Sequence, residues 1–287
     1  MAEFSNQATL SYGGVVKSSN DVTGEIVGVL SVTKTAVGTD YTPGGGVTYI
    51  VGIVNSGAAD AVGITVTDDL GAYGGTPEKA AYVPLSYVDG TVRLFVRGVP
   101  GPAPAVTAGD ALTFDGVTVP AGGNVILVYE TAVTGEADPS EGAEIVNTVT
   151  VTGTGLDPVT ATATVTAAGG PVLALTKALT PQTVSENGSL TYTFTLTNTG
   201  SGEADASTGA VLADTFDPAL AGITVTYNGT VWPDTNYVYD PATGSFTTNP
   251  GAITVPAAAF TQDPTTGVYT AEPGEAVLVV TGTIQMN

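Results

Sequence analysis

Leu190-Thr191-Tyr192-Thr193-Phe194-Thr195-Leu196-Thr197 carries an apolar residue at every even position and a threonine at every odd one. A period of two places all the apolar side chains on one face of an extended strand and all the threonines on the other. Threonine and the aromatic residues suit such a pleated, half-buried surface. Residues 64–67, 145–151, 159–165, 223–227 and 277–284 follow the same habit. Between them stand turn formers: Pro43-Gly44-Gly45-Gly46, Pro120-Ala121-Gly122-Gly123, Asn187-Gly188, Asn228-Gly229 and Pro273-Gly274. No helical period is sustained anywhere. The expected fold class is all-β, made of antiparallel β-sandwiches.

Composition narrows the function. The chain has 287 residues, room for two domains. Six Lys and Arg against 27 Asp and Glu give a net charge of -21. Such a chain repels nucleic-acid backbones and anionic bilayers, so neither nucleic acid nor membrane insertion is expected. No apolar run nears the roughly 18 residues of a membrane span, and the opening MAEFSNQATL shows no basic or apolar leader. Apolar residues make up 43% and charged ones 11%, enough for a packed core. Cysteine and histidine are both absent, which excludes disulfides, thiolate nucleophiles, Cys/His zinc sites and imidazole-based triads. A pair of carboxylates could still hydrolyse a glycoside, but no spacing implies one, and no enzyme is expected.

The chain repeats itself. VLSVTK at 29–34 returns as VLALTK at 172–177, and VTYIVGIVNSG at 47–57 returns as LTYTFTLTNTG at 190–200, both at an offset of 143. Thr67-Asp68-Asp69 answers to Ala213-Asp214-Thr215, and residues 122–128 answer to 274–280. The division expected is an N-terminal segment 1–28, a first sandwich 29–166, a linker 167–171 and a second sandwich 172–287. These residues (the L-x-V/L-T-K opening, the TY-x(5)-NxG strand, the T/A-D that follows and the NTVTVTG hairpin) resemble bacterial surface repeats of the DUF11 type. The resemblance implies Ig-like sandwiches strung in tandem on exported proteins, hence an extracellular or cell-surface location.

The two copies end differently. The first closes with a hairpin, AEIVNTVTVTG at 143–153 turning near Gly155 into VTATATV at 159–165. The second reaches Ile284 with no such hairpin. AEFSNQATLSY at 2–12 matches the missing strand at an offset of 141, so Phe4, Asn6, Thr9 and Leu10 answer to Ile145, Asn147, Thr150 and Val151, with a second strand near 22–27. Phe4, Asn6, Ala8, Leu10 and Tyr12 share one face. The expectation is that this hairpin completes the second sandwich of a neighbouring copy, entering a groove lined by Leu190, Tyr192, Phe194, Leu196, Val277 and Val279. Strand addition of this kind is a recognised mode of assembly, and a head-to-tail contact that does not close grows into a filament. The expected partner is the chain itself, as a homopolymer. Two other readings remain open: a monomer of two complete domains, and a piece of a longer stalk or adhesin array.

Several residues carry sharper possibilities. Lys34 and Lys177 occupy equivalent places, as do Asn6 and Asn147. The pattern resembles Gram-positive pilin domains, whose Lys and Asn join in an isopeptide with a carboxylate assisting, here Asp68, Asp214, Glu3 or Glu144. The plainer expectation is solvated lysines and asparagines bonded to backbone. Asp68, Asp69 and Asp214 are weak calcium candidates, since hard cations take oxygen ligands, but Asp-rich turns are ordinary and no cofactor is expected. Trp232 with Tyr227, Tyr237 and Tyr239 reads as cover for the core rather than a sugar platform. Ile50 and Val54 put apolar side chains where the second copy has Thr193 and Thr197, a possible lateral contact.

Overall fold

The computed structural model describes residues 2–26, 28–77 and 79–284. The chain folds into β-strands, in order β1 (Ala2–Asn6), β2 (Thr9–Tyr12), β3 (Val15–Ser18) and β4 (Val22–Ile26). There follow β5 (Leu30–Val37), β6 (Asp40–Tyr41), β7 (Gly46–Asn55), β8 (Ala61–Asp68), β9 (Leu85–Tyr87) and β10 (Arg93–Val96). Then come β11 (Val99–Gly101), β12 (Ala105–Ala108), β13 (Leu112–Val119), β14 (Gly123–Val133), β15 (Glu144–Gly153) and β16 (Leu156–Ala167). The second half holds β17 (Leu173–Thr180), β18 (Ser189–Asn198), β19 (Ala213–Thr215), β20 (Leu220–Tyr227) and β21 (Thr230–Val231). It ends with β22 (Tyr237–Asp240), β23 (Ser245–Thr248), β24 (Ala259–Gln262), β25 (Tyr269–Glu272) and β26 (Gly274–Ile284).

Two separate cores form. In the first sandwich, β11-β10-β14-β7-β5 faces β12-β13-β8-β15-β16-β6, and the inward residues of both sheets bury around Tyr49, Phe114, Leu127 and Tyr129. In the second, β17-β18-β26-β20-β21 faces β19-β23-β22 around Phe194, Phe216, Phe246 and Leu278. The NxG of each repeat has a physical task. Asn55 donates to the Ala59 and Val119 carbonyls and accepts from Gly57 N–H. Asn198 does the same with Gly202, Pro256, Gly200 and Val172. Each buried amide thus ties down the loops around it, with all its polar atoms satisfied. The β24–β25 ribbon reaches the first sandwich, where Tyr82 OH donates to Pro264 O at 2.9 Å and Lys79 Nζ to Thr266 O at 3.0 Å.

Strand pairing corrects one alignment. Leu127 pairs with Val51 and Leu278 with Phe194; since 51 and 194 differ by 143, the true offset between β14 and β26 is 278 − 127 = 151. The sequence match of 122–128 with 274–280 is one residue out. A slip of one turns a strand over, so Val277 and Val279, expected to line the groove, stand half-buried on the outer face, while Ala276, Leu278 and Val280 point into the core. Both faces of this strand are apolar at that point, so alternation alone does not say which is inside.

Candidate functional site

Residues 2–26 form one hairpin. β1 pairs with β4, Asn6 opposite Val22, and β2 with β3, Tyr12 opposite Val15. The turn is Gly13-Gly14, both at positive φ (54° and 82°), as tight hairpin turns of matching twist require. Phe4 lies across Gly24, where a Cβ would come within 2.5 Å of the ring. Phe4, Leu10, Tyr12 and Val22 are all exposed, and so are Asn6 and Ala8. Among the described residues, no ladder or hydrogen bond ties the hairpin to either sandwich. An isolated two-stranded ribbon is marginal in water.

The two sandwiches differ in strand pairing among the described residues. In the first, β8 is central, flanked by β13 and β15, and β16 lies along β5. In the second, β19 pairs with β23 alone among the described strands. The consequence is plain on the opening strands. Leu30 on β5 is 8% exposed and its counterpart Leu173 on β17 is 39% exposed. Val32 is half-buried, and its counterpart Leu175 is 54% exposed. Every residue of β17 is exposed. Leu190, Tyr192, Phe194 and Leu196, expected to line an acceptor groove, are buried between the sheets, and the exposed row runs instead along Leu173, Leu175, Lys177 and Leu179, which sequence reading passed over. Their period-two phase with Leu30, Val32, Lys34 and Ala36 was the available signal.

Inside the first sandwich sits a buried polar cluster. Lys34 Nζ donates to Asp68 Oδ2 at 2.8 Å with both side chains fully buried. Tyr129 OH donates to the same oxygen, and Leu70 N–H to Oδ1 at 2.8 Å. The Lys34 amine stands 4.7 Å over the Tyr49 ring. Lys34 is therefore not the solvated lysine expected; burial pushes its ammonium pKa down against the pull of Asp68. Nor does Asn147 bond backbone. It is fully buried, and among the described residues neither its Oδ1 nor its Nδ2 has a hydrogen-bond partner; the Tyr49 hydroxyl has none either. In the second sandwich Lys177 Nζ meets Asp214 Oδ2 at 2.5 Å and stands 4.6 Å from the Tyr192 ring, but its side chain is 40% exposed.

The calcium candidates are otherwise engaged. Asp68 holds Lys34 and Tyr129, Asp69 accepts from Gly71 and Thr148 N–H, and Asp214 holds Lys177. Among the described residues no group of three acidic side chains converges. Trp232 stacks on Tyr227 at 4.8 Å against the second core, with Tyr237 and Tyr239 beside it. Val54 is exposed and Ile50 half-buried on the outer face. No helix among the described residues is long and apolar enough to cross a membrane.

Burial raises the hydroxyl pKa of Tyr41 and of Tyr49 to about 12. Unfolded tyrosine ionises near 10, so above that pH the unfolded chain loses protons that the folded chain keeps. The stability these two residues contribute is complete below about pH 10 and disappears as pH rises through about 12. Melting of the first sandwich is expected to drop steeply over that window; an unchanged melting temperature there would contradict the assignment.

No family model and no curated protein matches the chain. Solved structures do resemble it. The major pilin subunit of Bacillus cereus matches at 13% identity and TM-score 0.37, over 99% of this chain and 75% of that one. The pilus backbone of Streptococcus pneumoniae matches at 12% and 0.34 over 85% of this chain, which spans 55% of that chain's length. A collagen-binding domain of a Staphylococcus aureus adhesin matches at 16% and 0.29, over 49% of this chain and 99% of that one. Overlaps this partial assign no activity.

Proposed function

We propose that the protein is the structural subunit of an extracellular fibre, in which residues 2–26 of one copy complete the second sandwich of the next. The observation that carries this reading is the contrast between β5 and β17: the same strand in two repeats, covered in one and bare in the other. The hairpin has the shape of the missing cover. Its turn at Gly13-Gly14 falls where Thr154-Gly155 falls after the offset of 141, and Phe4 opposite Gly24 answers to Ile145 opposite Val165. Each repeat of the β15–β16 type is followed by a short connection into the next sandwich, residues 168–172 in one case and 27–29 in the other.

Chain length argues against self-completion. Three residues reach about 10 Å, whereas strands of ten residues, such as β7 (Gly46–Asn55), extend about 33 Å. A neighbouring copy needs no such reach. Burial of Phe4, Leu10 and Val22 contributes roughly 1.5–3 kcal/mol each, and β19 exchanges an open edge for a ladder. The net charge of -21 keeps such a self-associating chain soluble.

Deleting residues 2–12 tests the proposal. The truncated chain is expected to run as a monomer on size exclusion and to form no filaments by electron microscopy. Adding the 2–26 hairpin as a peptide should shorten filaments of the intact chain by filling their open grooves. Filaments of the truncated chain would defeat the proposal.

A further inference from the structure

We infer that the two sandwiches of one copy are clasped to each other by a pair of matched insertions, and that the fibre therefore bends at the joints between copies and not within them. The clasp stands on the structure of one chain; the pattern of bending rests on the fibre reading above.

The insertions emerge when the two repeats are laid on each other by strand pairing. Leu85 of β9 lies opposite Val133, and Leu220 of β20 lies opposite Ile284. Since 284 − 133 = 151, the offset of β14 and β26, Leu85 and Leu220 occupy the same place. The chain leading up to them does not. Residues 69–84 connect β8 to β9, whereas residues 216–219 suffice between β19 and β20. A second connection differs in the opposite sense. Residues 120–122 join β13 to β14, whereas residues 249–273, which hold the β24–β25 ribbon, join β23 to β26. Each sandwich thus carries one long connection that the other lacks, and the two long ones meet.

Their contact is polar and fixed in register. Tyr82 OH donates to Pro264 O at 2.9 Å, Lys79 Nζ to Thr266 O at 3.0 Å and Gln262 Nε2 to the Tyr73 hydroxyl at 2.8 Å. Beside the inserted residues, Tyr269 N–H donates to Gly135 O at 2.9 Å. Lys79 is itself held by Glu136 at 2.6 Å, whose other oxygen accepts from Val83 N–H. Gly267, at φ 79°, lies on the Tyr82 ring so closely that a Cβ would stand 2.4 Å from it. The covalent link between the sandwiches, residues 168–172, contains Gly169-Gly170 and would by itself let them swing. With the ribbon seated, any swing must break these bonds together.

The joint between copies has neither part of this clasp. In the fibre reading the donated hairpin leaves the first sandwich just before Val29. At that end Ser56 N–H donates to Val29 O and Gly122 N–H to Gly57 O. The counterpart in the second sandwich is its linker end, where Thr199 N–H donates to Val172 O and Ala258 N–H to Gly200 O. The ribbon therefore springs from the end that, in the first sandwich, bears only the turn 120–122. Across a joint between copies the first sandwich offers no ribbon, and the second has only 216–219 where 69–84 would receive one. Such a fibre is a row of stiff two-sandwich rods with a hinge after each.

Spin labels test the clasp. The chain has no cysteine, so Thr107→Cys in the first sandwich and Ala242→Cys in the second, both exposed, each take one label. Pulsed electron resonance then reads their separation in the full chain, diluted into unlabelled copies. One narrow distance is expected. Replacing residues 259–272 by a short Gly-Ser turn should broaden it. So should Lys79→Ala combined with Tyr82→Phe, which keeps both connections at full length. Trp232 fluorescence checks that the second sandwich of each variant is folded. A broad distribution in the parent overturns the clasp, as does a distribution left narrow by both variants. Electron micrographs test the rest. Parent fibres are expected to bend at alternate joints, and fibres of the ribbon-free variant at every joint, their persistence length falling to about half as the hinges double. Parent fibres that bend equally at every joint overturn the alternation and leave the fibre reading standing. If the parent chain forms no fibres, the fibre reading and the alternation fall together, and the label distances still decide the clasp.

Discussion

A chain in which residues 2–26 are moved behind residue 284, through a linker as long as residues 134–143, is expected to be a monomer that no longer polymerises. The first sandwich gives the design: there the hairpin follows β14 through residues 134–143 and closes the same domain. With the hairpin in that position the second sandwich would fill its own groove, and the leading end would have nothing to donate. The gain in stability should be large. Phe4, Leu10 and Val22 pass from water to a core at roughly 1.5–3 kcal/mol each, and Leu173, Leu175 and Leu179 are covered with them. Against this stands the ordering of a ribbon already close to its final shape. In a domain of this size the difference amounts to about 10–20 °C in melting temperature. Trp232, the single tryptophan, packs on Tyr227 in the second sandwich and reports its unfolding by fluorescence. A rearranged chain that polymerises like the parent, or whose tryptophan transition does not move, would show that the hairpin does not belong in that groove.

How far the fold could be read in advance depended on redundancy. Alternation in 190–197 fixes which face is buried only because threonine and apolar residues are cleanly separated, and the second copy at an offset of 143 confirms it. Where both faces are apolar, as at Val277-Leu278-Val279-Val280, the pattern falls silent, and a shared glycine drew the alignment one residue out of register. The exposure of β17 was hidden for a different reason. Leu173, Leu175 and Leu179 look in sequence like any inward-facing set; that they stay exposed is a property of strand order, which only pairing reveals. Lys34 is the instructive residue. It stands in phase with Leu30, Val32 and Ala36, so its inward position was legible, but a lysine is ordinarily assumed to reach water. Its burial depends on Asp68, Tyr129 and Tyr49, which come from three other strands and meet only in the folded sandwich.

That dependence gives the second large effect. Asp68→Ala is expected to destabilise the first sandwich by about 3–5 kcal/mol, the usual consequence of leaving a buried charge without its partner. Asp214→Ala removes the equivalent carboxylate but should cost the unassembled subunit no more than about 1 kcal/mol, because Lys177 remains in contact with water. Two carboxylates at equivalent places in two repeats therefore differ in weight because the Lys34 side chain is fully buried and that of Lys177 is 40% exposed. Urea unfolding of the two variants measures the difference. Adding Lys34→Met to Asp68→Ala should recover most of the loss, since it removes the stranded amine and leaves an apolar chain of similar length against the Tyr49 ring. In the rearranged monomer, where the hairpin covers Lys177, the cost of Asp214→Ala should climb toward that of Asp68→Ala. Equal costs in the open subunit would mean that Lys177 is already shielded there, and the second sandwich would need no borrowed strands.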